Sequence, residues 1–253
     1  MASKKKKTVE TIEVRRESIT FILKGTTPVI LNRMSEKAKR EFLLPSQKKT
    51  SGDKRTTLKH DPYEEFANSP HRSPYDDDPT LIVMPSTAFK SALRCVAIDV
   101  PCASSKAQIG RLTFVEGEYV GIYGLPELRM DIVRQAGINR TPDVRTRATL
   151  REWVAILTVT YATPILNKSM IVSLMAHSGW LQGAGDFRPE KGAGNFGSWM
   201  LSDKKDPDVK RILKIGRKQQ LEAMSNPRLY NAETVELLGW FDAEVERRGL
   251  RKA

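Results

Sequence analysis

The chain has 253 residues, 40% of them hydrophobic, and carries 42 lysines and arginines against 30 aspartates and glutamates, a formal charge of +12. That length and apolar content suffice to bury a sizeable core, as one large domain or one domain with appendages. No run approaches the ~20 consecutive apolar residues of a membrane span, and polar residues follow the basic opening where an export signal needs an apolar core, so a cytoplasmic protein is expected.

A positive surplus costs self-repulsion in the folded state, and polyphosphate relieves it well because each neutralised phosphate releases a counterion. Plain solubility is the alternative reading of this charge. An anionic membrane is disfavoured, since no long amphipathic basic helix is present. Cys95 and Cys102 have no further cysteines to complete a zinc site and read as reduced thiols. No metal and no cofactor is expected.

Residues 1–11 form a basic tail. A strand pattern follows over 12–31, with Ile19, Phe21 and Leu23 alternating against polar neighbours until Thr26-Thr27-Pro28 interrupts it before Val29-Ile30-Leu31. Residues 32–80 read as a polar insertion with a short helix over 35–42. Its cations include Arg33, Lys54 and Arg55, and it is either a mobile arm lying on a nucleic acid or a solvated loop. The core resumes at Leu81-Ile82-Val83-Met84. Pro85-Ser86 starts a helix through Ile98, with Lys90 and Arg94 four apart on one face.

Strands are predicted over 111–115, 119–123 and 128–133. Residues 139–151 read as a polar connection bearing Arg140, Arg145, Arg147 and Arg151. The strongest strand, 153–161, looks buried on both faces and ends before Pro164. Asn167 or Ser169 caps a helix through Trp180, and a short strand lies at 198–201. Residues 203–253 are charged and helical in pattern. This order predicts an α+β domain over 12–202, of the ferredoxin-like or RRM kind, with an insertion after its first strand and a C-terminal helical extension.

Between the second helix and the last strand lie five glycines in fifteen residues, including Gly183, Gly185, Gly192 and Gly194. Glycines permit positive φ and close main-chain approach, and free amides in such turns cradle phosphate oxygens. Arg188 and Lys191 add cations. The spacing matches neither a Walker loop nor a dinucleotide fingerprint, and a tightly packed ordinary connection is the alternative. Phe187, Phe196 and Trp199 stand beside the glycines as stacking residues, whereas Trp153 and Tyr161 belong to the core.

Two segments resemble motifs of the RAMP superfamily of CRISPR-associated proteins. Met84-Pro85-Ser86-Thr87-Ala88-Phe89-Lys90-Ser91-Ala92-Leu93-Arg94 is similar to its I-P-G-S-S-L-K-G-A-L-R helix opening, with Ser86 and Ser91 in place of glycines. The loop ending Gly194-Asn195-Phe196-Gly197-Ser198-Trp199 resembles its G-G-x-x-x-x-G-F-G-R loop, with wider spacing and Ser198 where arginine is frequent. The resemblance spans roughly 12–201 and is closest to the subunit that coats guide RNA. It implies a modified RRM-like fold, a homo-oligomer along single-stranded RNA, contact with other effector subunits, and backbone contacts from Lys90, Arg94, Arg188 and Lys191. A phage or mobile-element relative fits equally.

Catalysis has one candidate cluster, His60 and Asp61 with Glu64 and Glu65, which would make the chain an endoribonuclease. It lies in the insertion, where fixed geometry is hard to maintain. His177 reads as a packed or backbone-contacting residue. The leading expectation is therefore a non-catalytic RNA-binding protein, and a phage single-stranded DNA-binding or annealing protein is the other alternative.

Overall fold

A computed structural model describes residues 13–33, 60–101, 105–134 and 142–249. Chain order begins with β1 (Arg15–Gly25), β2 (Val29–Ile30), α1 (Pro62–Asn68), β3 (His71–Arg72), β4 (Ile82–Pro85) and α2 (Ser86–Val96). It continues through α3 (Lys106–Leu112), β5 (Thr113–Val115), β6 (Tyr119–Tyr123), β7 (Pro126–Arg134), β8 (Pro142–Leu150) and β9 (Val154–Thr163). Then come α4 (Lys168–Leu181), β10 (Trp199–Ser202), α5 (Pro207–Ile212), α6 (Arg217–Ser225), β11 (Arg228–Leu229) and α7 (Ala232–Arg247).

The fold is mixed α+β, built on an antiparallel sheet of order β10-β1-β9-β6-β4-β3, with β5 also on β9. β1 and β9 pair along nearly their whole length, from Arg15 opposite Thr163 to Lys24 opposite Val154. Period-two alternation sends Phe21, Leu23, Leu157 and Val159 to one face. There α2 brings Phe89 and Leu93 and α4 brings Leu174 and Met175, closing a core around Trp153 and Trp199. Burying each such side chain contributes about 1.5–3 kcal/mol.

The opposite face is divided. Val209 and Ile212 of α5 cover Ile22 and Val154, while Ser18, Thr20, Thr158 and Thr160 form exposed cross-strand hydroxyl pairs at 2.7 and 2.9 Å. Asp206 caps α5 and, with Asp208, holds Lys24, at 2.9 and 2.7 Å.

Several expectations change. The predicted strand over 12–31 divides at residues 26–28, and Val29–Ile30 leave for a second sheet of order β11-β7-β8-β2. The polar connection over 139–151 contains β8, which runs antiparallel to β7 with Arg129 opposite Arg147 and Asp131 opposite Arg145. Its arginines obscured the alternation because one face of the ribbon is charged and the other is apolar, with Leu128, Met130 and Ala148 buried. The insertion is folded over residues 60–80. There Asp61 caps α1, Pro62 occupies its first turn, and Phe66 is 1% exposed. Residues 106–112, partly predicted as strand, form α3 capped by Ser105. The helix expected over 35–42 lies outside the described residues.

The C-terminal helices pack back on the sheets. Gln220 of α6 is fully buried, accepts from the amides of Leu81 and Ile82 at 2.8 and 3.0 Å, and donates to the carbonyls of Ile122 and Gly124. Helix α7 lies along β7, where the Thr234 hydroxyl accepts from the Met130 amide. Among the described residues no helix is long and apolar enough to cross a membrane, and no group of three His, Cys, Asp or Glu side chains is arranged to hold a metal.

Candidate nucleic-acid interface

The glycine-rich loop after α4 is sewn to the segment between β1 and β2. The Asp186 amide donates to Ile30 O (2.9 Å), Gly197 N to Pro28 O (2.7 Å), and Ala184 N to Gly197 O (2.9 Å). The amides of Gly183 and Gly192 also donate within the chain, to Ser178 and Pro189. The expected cradle of free amides is therefore largely filled by the protein's own carbonyls. Close packing is what requires glycine: at Gly185, where φ is +78°, a Cβ would lie 2.5 Å from Ile30 O, and at Gly194 it would lie 1.9 Å from Phe187 O.

Asp186 docks the loop on the charged face of the β7–β8 ribbon. Its carboxylate accepts from the Arg147 guanidinium, from Asn32 Nδ2 (3.0 Å) and from the Phe187 amide (3.0 Å). Arg147, 6% exposed, also reaches Asp131 at 3.1 Å. Asp131 in turn accepts from Arg129 Nε at 2.9 Å.

Above this network runs a line of rings and guanidinium groups. Phe187 and Phe196 have centroids 6.2 Å apart. The Arg129 guanidinium carbon lies 4.6 Å from the Phe196 centroid and 4.8 Å from that of Tyr230, and Arg151 covers Tyr230 at 4.2 Å. Phe187 is 50% exposed and is held at a φ of +53°. A left-handed backbone at a bulky residue costs about 1–3 kcal/mol and is tolerated where function requires it. Phe187→Gly is accordingly expected to leave the melting temperature equal or higher while weakening nucleic-acid binding. A clear fall in melting temperature would show that the ring supports the fold.

Of the residues singled out in the sequence, Arg33, Arg145, Arg147, Arg188 and Lys191 join the glycines on this side. Arg33, Arg145 and Lys191 are exposed and form no ion pair among the described residues. Arg147 is buried in ion pairs, and Arg188 is held by Glu190 and by Gly185 O at 2.9 Å. Neither is a free phosphate contact.

Lys90 and Arg94 lie elsewhere. The side of α2 that meets the loop is Ala88, Ser91 and Ala92. Lys90 instead sits 4.7 Å from the Phe114 ring, which Arg16 also flanks, and Arg94 lies over Gly110 of α3. Trp199 is 3% exposed, in edge contact with Trp153, so it is core and not a stacking surface. Lys54, Arg55 and Arg140 lie outside the described residues.

His60 and Asp61 serve the fold. Asp61 Oδ1 accepts from the amides of Tyr63 and Glu64 as a helix cap. His60 has Nδ1 2.6 Å from Glu65 and Nε2 3.0 Å from Asp143, tying α1 to β8. The Glu65 hydrogen bond, helped by the charges of both carboxylates and opposed by burial, holds the imidazole pKa above its usual 6.5. The protonated ring therefore stabilises the fold fully below pH ~6.5, and that contribution is lost as pH rises through the raised value. The denaturation midpoint of the wild type should exceed that of His60→Gln most at acid pH, the gap closing as pH rises. A gap constant across that range would contradict the ion pairs. His177 Nδ1 lies 2.7 Å from Ser173 O, a backbone contact within α4.

Arg129, Asp131 and Tyr230 were missed in the sequence. A detectable sign was the pair of charges two apart in an otherwise apolar strand; Tyr230 had none, since its partners are about 80 to 100 residues distant in the chain. Comparison with protein-family models gives no match, and comparison with curated proteins gives none either.

Proposed function

We propose that this chain is a non-catalytic, cytoplasmic, single-stranded RNA-binding protein of the RAMP type that coats its ligand as an oligomer. The observation that carries the reading is the line Phe187–Phe196–Arg129–Tyr230–Arg151, flanked by the exposed cations Arg33, Arg145 and Lys191. Stacking rings beside phosphate-binding cations are what an unpaired strand needs, because every base has a π face and every nucleotide a charge. The family assignment is supported by the order β10-β1-β9-β5 with α2 and α4 on one face, which follows the four-stranded ferredoxin-like plan, and by the two motifs.

The endoribonuclease reading is less favoured, because both His60 ring nitrogens are engaged by carboxylates. Arg145→Glu combined with Lys191→Glu tests the interface without touching the Arg147 network. Labelled single-stranded RNA at about 50 mM salt should bind the wild type, and the double variant should bind at least tenfold more weakly with a salt dependence shallower by roughly two. Equal binding and slope would remove these cations from the interface. Matched RNA and DNA oligomers in competition separate the phage DNA-binding alternative, since preference for RNA requires 2′-hydroxyl contacts.

A further inference from the structure

Beside the line of rings lies a cleft of about 320 Å³, bounded by the glycine-rich loop, β3 and the junction of β4 with α2. Its floor is apolar, formed by Val83, Met84 and Ala88, and its rim is polar, formed by Asn32, His71 and Arg188. Volume and lining fall within the range of small-molecule sites, where apolar walls supply contact and a few fixed polar groups set orientation.

The polar rim is held in place before any ligand arrives. Asn32 gives its amide to Asp186 at 3.0 Å, which leaves the side-chain carbonyl as an acceptor. Arg188 is fixed through Gly185 O and Glu190, so its guanidinium plane stands at the cleft edge with donor capacity remaining. Such preorganisation lowers the entropy cost of recognition.

The chain path links this cleft to the stacking surface. Asp186 and Arg188 line it, while the intervening Phe187, turned out by its positive φ, stands beside Phe196. A strand stacked on Phe187 therefore passes the mouth of the cleft. We propose that the cleft takes one unstacked nucleobase of the bound strand, its ring face on Met84 and Ala88 and its edge toward Asn32, His71 and Arg188. The proposal rests on the single-strand reading and goes beyond it, because a base held by fixed donors and acceptors introduces base preference into otherwise backbone-directed binding.

The experiment places 5-iodouridine at successive positions of a 20-nucleotide RNA, irradiates the complex and maps crosslinked peptides by mass spectrometry. The expected map has crosslinks on two sets of residues: Phe187, Phe196 and Tyr230, and separately His71 or Met84. Ala88→Trp, which fills the cleft from α2 without changing charge, should abolish the second set, keep the first and weaken binding roughly tenfold. Crosslinks confined to the first set would overturn the cleft assignment and leave the binding reading intact. An RNA that neither binds nor crosslinks overturns the binding reading itself. If Ala88→Trp does not fold, the wild-type map decides alone.

Discussion

Arg147→Met is expected to destabilise the protein by about 3 kcal/mol and to release the glycine-rich loop from the β7–β8 ribbon. Arg147 is the one cation that touches both Asp186 of the loop and Asp131 of the ribbon, and its side chain is 7% exposed. Without it, two carboxylates face each other where water has limited access, and a stranded buried charge costs more than the intact pair contributes. Arg129 still reaches Asp131, and Asn32 still reaches Asp186, which keeps the cost finite. Chemical denaturation measures the loss, and hydrogen exchange over residues 184–197 reports the release. Arg147→Met combined with Asp186→Asn should be less damaging than the sum of the single changes, because one of the stranded charges is gone. Additive losses would show that the two residues do not act as a pair.

Gln220→Leu is expected to cost at least about 3 kcal/mol, because it leaves the amides of Leu81 and Ile82 and the carbonyls of Ile122 and Gly124 without their partner, each an unsatisfied buried group worth ~1–3 kcal/mol. The apolar replacement restores volume, so the loss isolates the hydrogen bonds. Limited proteolysis should then cleave around residues 203–216 well before the sheet unfolds. A variant as stable and as resistant as the wild type would show that α6 docks by packing alone.

What was legible in the sequence follows from how local each signal is. β9, α2 and α4 carry their period within one segment, so Leu157, Phe89 and Leu174 declare the core without help from distant residues. β8 did not, because Arg145 and Arg147 disguise a strand whose charged face meets another part of the protein rather than water. The folded part of the insertion was hidden for a related reason: α1 is anchored by Phe66 and one cap, too few apolar positions to form a period.

The candidate site divides in the same way. Its glycines are visible locally, and so are Phe187 and Phe196. That the loop amides are engaged internally, and that Arg129, Arg151 and Tyr230 complete the line, depends on contacts across the fold which no single segment contains. The sequence therefore pointed to the right loop, while the structure shifts the weight from its backbone to the rings beside it.

The most direct test of that shift is a binding titration of labelled 20-nucleotide single-stranded RNA with wild type and with Phe187→Ala combined with Phe196→Ala, at about 50 and 200 mM salt. These substitutions remove no charge. The account predicts that the wild type binds at the lower salt, and that the double variant binds at least about tenfold more weakly with the same salt dependence, since stacking is lost and phosphate contacts remain. No wild-type binding at the lower salt, or a double variant that binds as tightly as the wild type, would contradict it.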